Sequence, residues 1–274
     1  MALELAQKIN AVIVNSDSQQ VYKELQILSA RPTTQEMQNI PHYLYGSHSG
    51  AEIFSVGHWR EEAKKIIQQV TDRPIIFCGG TGLYLHSLYK GMAEIPPIPE
   101  EIKSKVRAMN AEEVAAYFGA DASDNHRRNI RALEVFLATG KHIKQWQQEQ
   151  TLPEFTEQDF LTLFMNVPRE TLYEKIDLRF LKMMEMGALE EVKALMELKL
   201  APALPIMKAV GVPELAKYLD GEIGLQEAIS KAQQNSRNYA KRQLTWARNQ
   251  LPNKIEVQNM SFDSILNLVR ENLQ

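Results

Sequence analysis

The chain has 274 residues, 44% of them hydrophobic, enough for one large domain or one domain carrying a smaller insert. No apolar run approaches the ~18 residues a membrane-spanning helix needs. Met1-Ala2-Leu3-Glu4 has neither the charged start nor the cleavage pattern of a signal peptide. The single cysteine, Cys78, excludes an internal disulfide and a cysteine-built zinc site, so a soluble, cytoplasmic protein is expected, with a monomer as the default state. A net charge of −3 and a pI near 6.1 argue, taken alone, against a nucleic-acid binder. Distribution matters more than the sum. Arg127, Arg128 and Arg131 form one basic cluster, and Arg237, Lys241, Arg242 and Arg248 another.

In chain order, residues 1–9 have helical spacing with no capping residue before them, so the chain begins inside a helix. In a doubly wound fold a strand and a loop would precede that helix. The apolar run at residues 11–14 is read as a buried strand. A second run at residues 75–78, bounded by Pro74 and Gly79-Gly80, is read as another. Between them, Trp59 to Val70 has helical periodicity with charges on one face. Strand, helix, strand is the signature of a parallel α/β sheet. The stiff segment Ile95-Pro96-Pro97-Ile98-Pro99 marks a boundary. From about 100 to 153 only helices are expected, the longest from Asn125 to Gln148 with a break at Gly140. A third strand is expected at Phe160 to Val167, then mostly helix, with an edge strand at Ile255 to Val257. The six histidines show no metal-ligand spacing.

Four motifs carry chemistry, each against a plainer reading. Asp17-Ser18-Gln19-Gln20-Val21-Tyr22 follows the first strand, where open α/β sheets bind ligands. Its carboxylate suits a general base or a metal-ordering group, or merely caps the next helix. Gly79-Gly80-Thr81-Gly82-Leu83-Tyr84 follows the second strand and opens a helix, a place where backbone N–H groups can approach an anion. It is equally a tight strand-to-helix turn. Arg128 and Arg131 share a helix face able to grip phosphates, or are solvated with Glu134 paired to Arg131 or Arg127. From Arg237 to Arg248, Arg237, Lys241 and Arg248 fall on one helical stripe and Tyr239, Gln243 and Trp246 on another. That interleaving suits RNA, or the aromatics are core. Arg179, in the helical segment Lys175-Ile176-Asp177-Leu178-Arg179, reads on its own as surface decoration.

Asp-Ser-x-Gln-Val-Tyr, Gly-Gly-Thr-Gly-Leu-Tyr, Arg-x-x-Arg-Ala-Leu-Glu-Val and Tyr-Ala-Lys-Arg-Gln-x-Thr-Trp-x-Arg occur in that order. The set resembles the bacterial tRNA dimethylallyltransferase (tRNA isopentenylpyrophosphate transferase) family over essentially the whole chain. The resemblance implies an α/β fold: a P-loop-NTPase-like parallel sheet core flanked by helices, over residues 1–95 and 156–274. It also implies a helical, tRNA-contacting insertion domain at 96–155. The implied reaction moves a dimethylallyl group from dimethylallyl diphosphate to the exocyclic amine of the adenosine just 3′ of the anticodon. Mg2+ is the implied cofactor and the tRNA anticodon stem-loop the implied partner. By the same resemblance Asp17 matches the general base, Thr81 a contact to the target nucleotide, and Arg179 an arginine directed at the diphosphate. Stretches matching tRNA contacts comprise Asp17, Ser18, Gln19 and Gln20 with Thr81; Lys103; Arg127, Arg128, Asn129, Ile130 and Arg131; Lys208 and Gly211; and Lys241, Arg242, Gln243, Trp246 and Arg248.

The chemistry asks for such groups. A purine amine is a weak nucleophile helped by a positioned base. The leaving diphosphate needs preorganised cations and N–H donors. A base stacked in a loop must be extruded into a pocket, at roughly a few kcal/mol. Family members open with a strand and Gly-x-Thr-x-x-Gly-Lys-Ser/Thr, and no such loop occurs in this chain. The resemblance implies roughly 15–20 further residues ahead of Ala2, a short strand plus this loop. They would hold the diphosphate cradle and a metal-binding hydroxyl, so diphosphate and metal ligands are left unassigned. Smaller departures are Leu28-Ser29-Ala30-Arg31-Pro32 for Gly-Thr-Ala-Lys-Pro, Val212 for an aromatic, Asp124-Asn125 for the reverse order, and a short stretch from Lys103 to Asp124. Two other readings stand beside the enzyme. One is a tRNA-binding relative that has lost catalysis with the loop. The other is a nucleotide or small-molecule kinase relative sharing only the core, which leaves Tyr239 to Arg248 unexplained.

Overall fold

A computed structural model of the chain describes residues 1–149 and 153–273. They belong to two compact units, Met1–Ser87 with Glu157–Gln274, and Leu88–Thr156. The first change of unit falls inside a helix at Leu88, ahead of the proline segment at which the sequence marks a boundary.

The first unit opens with α1 (Ala2–Ile9), which no side chain caps and which ends where Asn10 turns left-handed at φ 52°. β1 (Val12–Asn15) is buried at all four positions, as expected of a parallel strand covered on both faces. α2 (Thr34–Met37) is a single turn closed by a Thr33–Glu36 capping box. β2 (His42–Tyr43) is too short for any alternation to show in the sequence. α3 (Val56–Gln69) starts at Ser55, whose side chain accepts from the His58 N–H, and buries Trp59, Ala63 and Ile66. β3 (Ile75–Cys78) leads into α4 (Gly82–Lys90). The strands form a parallel sheet in the order β2-β1-β3, with Val12 opposite Ile75 and Asn15 opposite Cys78. This register sets the ends of β1 and β3 level, so Asp17 and the glycine turn emerge side by side.

The second unit holds α5 (Glu100–Arg107), α6 (Ala111–Ala116), α7 (His126–Thr139) and α8 (Ile143–Gln148). Val106, Val114 and Leu133, all 0% exposed, are its core. Asn125 caps α7 by accepting from the N–H groups of Arg127 and Arg128. Gly140 ends α7 at φ 70°, a left-handed position that favours glycine, so the expected 125–148 helix is two helices. No strand occurs among the described residues of this unit; residues 150–152 of the expected all-helical stretch lie outside them.

Returning to the first unit, β4 (Thr162–Phe164) is shorter than the expected 160–167 strand. Its ladder stops after Val257 N–H donates to Phe164 O, the Asn166 N–H turns to the Gln258 side chain, and Pro168 caps the next helix. α9 (Arg169–Glu185), α10 (Ala188–Glu197), α11 (Val212–Leu219) and the long α12 (Leu225–Gln250) follow, with α12 packed on α9 and α11. β5 (Lys254–Glu256) pairs in parallel with β4, and α13 (Phe262–Glu271) closes the chain. Leu5, Val257, Ile265, Leu266 and Val269 make one apolar cluster, against which Ile76 of β3, Leu163 of β4 and Ile255 of β5 pack, so both sheets share it. Among the described residues, no helix is long and apolar enough to cross a membrane.

Candidate active site

Asp17 sits where β1 runs out, and its backbone is held by one side chain. Asn15 is fully buried. Its Nδ2 donates to the carbonyls of Asp17 (2.9 Å) and Leu44 (3.0 Å), and its Oδ1 accepts from the Asp17 N–H at 2.8 Å. The indole of the buried Trp59 donates to the Asn15 carbonyl at 2.7 Å. Asp17 Oδ1 accepts from the Gln19 N–H at 2.8 Å, closing a turn on its own chain. The next helix begins only at Thr34, so the helix-cap alternative for Asp17 does not hold. Burial pushes the Asp17 carboxyl above the ordinary aspartate range, against the pull of the Gln19 and Gln20 N–H groups and the Arg179 charge.

The glycine turn fits against this loop because it lacks side chains. A Cβ on Gly79 would lie 2.3 Å from the Ser16 carbonyl carbon and 2.6 Å from the Asp17 nitrogen, both backbone atoms. One on Gly80 would meet the Gln243 amide at 2.2 Å, and one on Gly82 the Trp246 indole at 2.2 Å. Thr81 joins the two loops. Its N–H donates to Ser16 O (3.1 Å), its Oγ1 accepts from the Ser18 N–H (2.9 Å), and its hydroxyl donates to Ser18 Oγ (3.2 Å).

Two helices present parallel stripes toward Asp17. On α9, Ile176, Arg179, Phe180 and Met183 are spaced i, i+3, i+4, i+7; on α12, Ser236, Tyr239, Ala240 and Gln243 repeat the pattern. With Asp17, Gln19, Gln20, Gly79 and Gly80 they line a cavity of ≈ 250 Å³, whose apolar wall adds Leu28 and Val210. Arg179 is therefore a cavity residue and not surface decoration, while Thr81 stands behind the wall, bonded to Ser18. α9 is pinned to α12 by Arg237, which donates to both Asp177 oxygens (2.5 and 2.7 Å). This corrects the expected free basic stripe: Arg237 is engaged, and Arg248 donates to Asn166 Oδ1 at 2.8 Å. Lys241 and Arg242 stay exposed, the Arg242 guanidinium 5.7 Å from the Tyr239 ring centre. Tyr239, Gln243 and Trp246 are half-buried, two lining the cavity and Trp246 covering Gly82.

Gln20 Nε2 donates to the carbonyls of Ser29 and Ala30, and Gln19 Oε1 accepts from the Val210 N–H. Lys208 is exposed, its ammonium on the Ala203 carbonyl. Gly211, at φ 95°, is wedged where a Cβ would meet Leu28 at 2.9 Å and Phe180 at 3.2 Å. In the second unit Arg127, Arg128 and Arg131 are exposed. Asn129 is turned inward onto Ser123, and Ile130 packs on the core. The buried Glu134 pairs with Arg131 (3.5 Å) and Arg107 (3.4 Å) and not with Arg127. Lys103 pairs with Glu100 at 3.1 Å. Among the described residues, no group of three or more His, Cys, Asp or Glu could hold a metal ion. Sequence reasoning missed Asn15, for which its place two residues before Asp17 was a usable signal, and Glu191, for which nothing local was.

A model of the IPP transferase family matches residues 20–250. The chain is 43% identical over 262 residues to the tRNA dimethylallyltransferase of Bartonella henselae, covering 91% of this chain and 90% of that protein. It is 43% identical over 284 residues to that of a Bradyrhizobium species, covering 98% and 91%. Among solved structures, the tRNA delta(2)-isopentenylpyrophosphate transferase of Staphylococcus epidermidis superposes with a TM-score of 0.69 at 32% identity, covering 99% of this chain and 92% of that one. The full-length tRNA isopentenylpyrophosphate transferase of Bacillus halodurans gives 0.72 at 29% identity, covering 99% and 91%.

Proposed function

The chain belongs to the IPP transferase family, and on that premise we propose that its cavity is where a dimethylallyl group is joined to a tRNA adenosine. It is a tRNA-prenylating enzyme, which sets aside the kinase relative and the binding-only relative. The observation that carries the site is one carboxylate and one guanidinium, Asp17 and Arg179, lining a single hollow whose remaining wall carries no other charged side chain.

The adenosine just 3′ of the anticodon is extruded into this hollow, its faces against Leu28, Phe180 and Met183 and its edge toward the amides of Gln19, Gln20 and Gln243. Its exocyclic nitrogen attacks the allylic carbon of dimethylallyl diphosphate. The carbon–oxygen bond breaks, diphosphate leaves toward Arg179, and the proton lost by the amine passes to Asp17. A carboxylate whose pKa is raised by burial is the better base for that proton. Arg127, Arg128, Arg131, Lys241 and Arg242 are exposed and suit the phosphates of the anticodon stem-loop, Arg131 while also paired to Glu134 of its own helix. Mg2+ accompanies the diphosphate. The described residues do not fit a protein-built Mg2+ site, and this cation commonly binds through one or two carboxylates plus substrate phosphates.

Mass analysis of tRNA incubated with the protein, dimethylallyl diphosphate and Mg2+ tests the reading. A gain of one C5H8 unit on the nucleoside beside the anticodon, absent with Asp17→Ala, is expected. A gain that persists with Asp17→Ala removes Asp17 from the reaction.

A further inference from the structure

The cavity wall that includes Leu28 and Ser29 belongs to a loop with no regular secondary structure. Residues 26–31 close on themselves: Ala30 N–H donates to Ile27 O and Arg31 N–H to Gln26 O, and Ser29 Oγ donates to Leu25 O. These bonds shape the loop but tie it to nothing else. From the site side, Gln20 Nε2 holds the carbonyls of Ser29 and Ala30. From the other side comes a residue more than 160 positions away in sequence. The carboxylate of Glu191, on α10, accepts three consecutive backbone N–H groups: Gln26 (2.7 Å) and Ile27 (2.8 Å) on Oε1, and Leu28 (2.9 Å) on Oε2. Successive N–H groups aimed at one point form an anion-binding nest, and here the anion is supplied by the chain itself. Leu28 is 7% exposed, so its N–H has little water to turn to.

We propose that Glu191 is a positioning residue for base capture: its carboxylate fixes the 26–31 loop so that Leu28 and Ser29 stand as a rigid wall of the cavity. This rests on the reading that the cavity takes the extruded adenine. A Cβ on Gly211 would meet Leu28 at 2.9 Å, so without Glu191 the loop keeps this packing contact and the Gln20 bonds to Ser29 and Ala30 but loses the three bonds that fix the backbone of Gln26, Ile27 and Leu28. An error of about 1 Å in such a wall is enough to lose productive contact. A glutamine at 191 keeps Oε1 for two of the N–H groups but points its amide hydrogens at the third. Loss is therefore graded, from Glu through Gln to Ala.

The test uses binding, with the full chain and two anticodon stem-loop RNAs, one carrying adenosine at the target position and one abasic there. Wild type is expected to prefer the adenosine RNA by about tenfold or more, the worth of seating and stacking one base. Glu191→Ala should narrow the preference to within about threefold, with Glu191→Gln between, while affinity for the abasic RNA stays within about twofold. A general loss of fold would weaken both RNAs together, and the glutamine variant carries the test if the alanine variant fails to fold. Wild-type preference retained by folded Glu191 variants overturns the proposal. No preference in wild type itself overturns instead the placing of adenine in this cavity.

Discussion

Gly79→Ala is expected to damage both stability and transfer, whereas Gly80→Ala, one residue on, is expected to leave stability nearly unchanged and to act on transfer only through the displaced Gln243 side chain. The added Cβ at 79 meets main-chain atoms: the Ser16 carbonyl carbon at 2.3 Å, its oxygen at 2.5 Å and the Asp17 nitrogen at 2.6 Å. Ordinary contact begins near 3.4 Å, so the ends of β1 and β3 must part by about 1 Å. Neither end can give freely, since the Asp17 backbone is bonded to Asn15 and the Thr81 N–H to Ser16. Overpacking of this kind costs about 1–3 kcal/mol, a melting temperature lower by roughly 2–8 °C for a chain of this size. A displacement of about 1 Å at a catalytic group costs on the order of 10² in rate. At Gly80 the obstacle is the far end of the Gln243 side chain, which can rotate away for less than about 1 kcal/mol. Thermal melting and single-turnover transfer of a prenyl group to tRNA, run on both variants, read the difference. Equal losses of stability at the two positions, or a Gly79→Ala protein of wild-type stability and rate, would refute the reasoning.

Other expectations follow from the same geometry. Arg237→Gln should destabilise the protein by about 1 kcal/mol, since the pair it breaks is partly solvated, and should leave the salt dependence of tRNA binding unchanged. Lys241→Ala, from an exposed position, should lower that salt slope by about one unit; the opposite pattern would exchange their roles. Because the folded-state pKa of Asp17 is raised, folding takes up a proton as pH falls through it, and wild type gains stability toward acid. Asp17→Asn, with no charge to bury, should melt above wild type at neutral pH and the gap should close in acid. A gap that widens in acid would reverse the sign of the burial effect. Chelating Mg2+ should weaken binding of dimethylallyl diphosphate while leaving the affinity for the anticodon stem-loop within about twofold, measured calorimetrically.

The sequence displayed those parts of the site that rest on neighbouring residues. β1 and β3 were visible as apolar runs ended by Asp17 and by Gly79-Gly80, because a strand buried on both faces needs no alternation. The break at Gly140 was visible because only a left-handed residue ends a helix that way. What pairs across long separations was not. Arg237 looked free because its partner Asp177 lies 60 residues away. Arg179 looked decorative because the stripe on α12 that completes its cavity begins at Ser236. Thr81 carries a side chain that could have faced either the cavity or Ser18, and only the register of β1 on β3 sends it to Ser18. The Glu191 clamp joins a helix and a loop with nothing in either segment to announce the other.

The most direct measurement compares wild type with Asp17→Asn in single-turnover transfer, with tRNA affinity determined in parallel. A carboxamide of the same shape that cannot accept the proton should slow transfer by about 10²–10⁴-fold, with affinity changed no more than a few fold. Transfer at the wild-type rate by a folded Asp17→Asn protein would place the base elsewhere and leave the cavity without its chemistry.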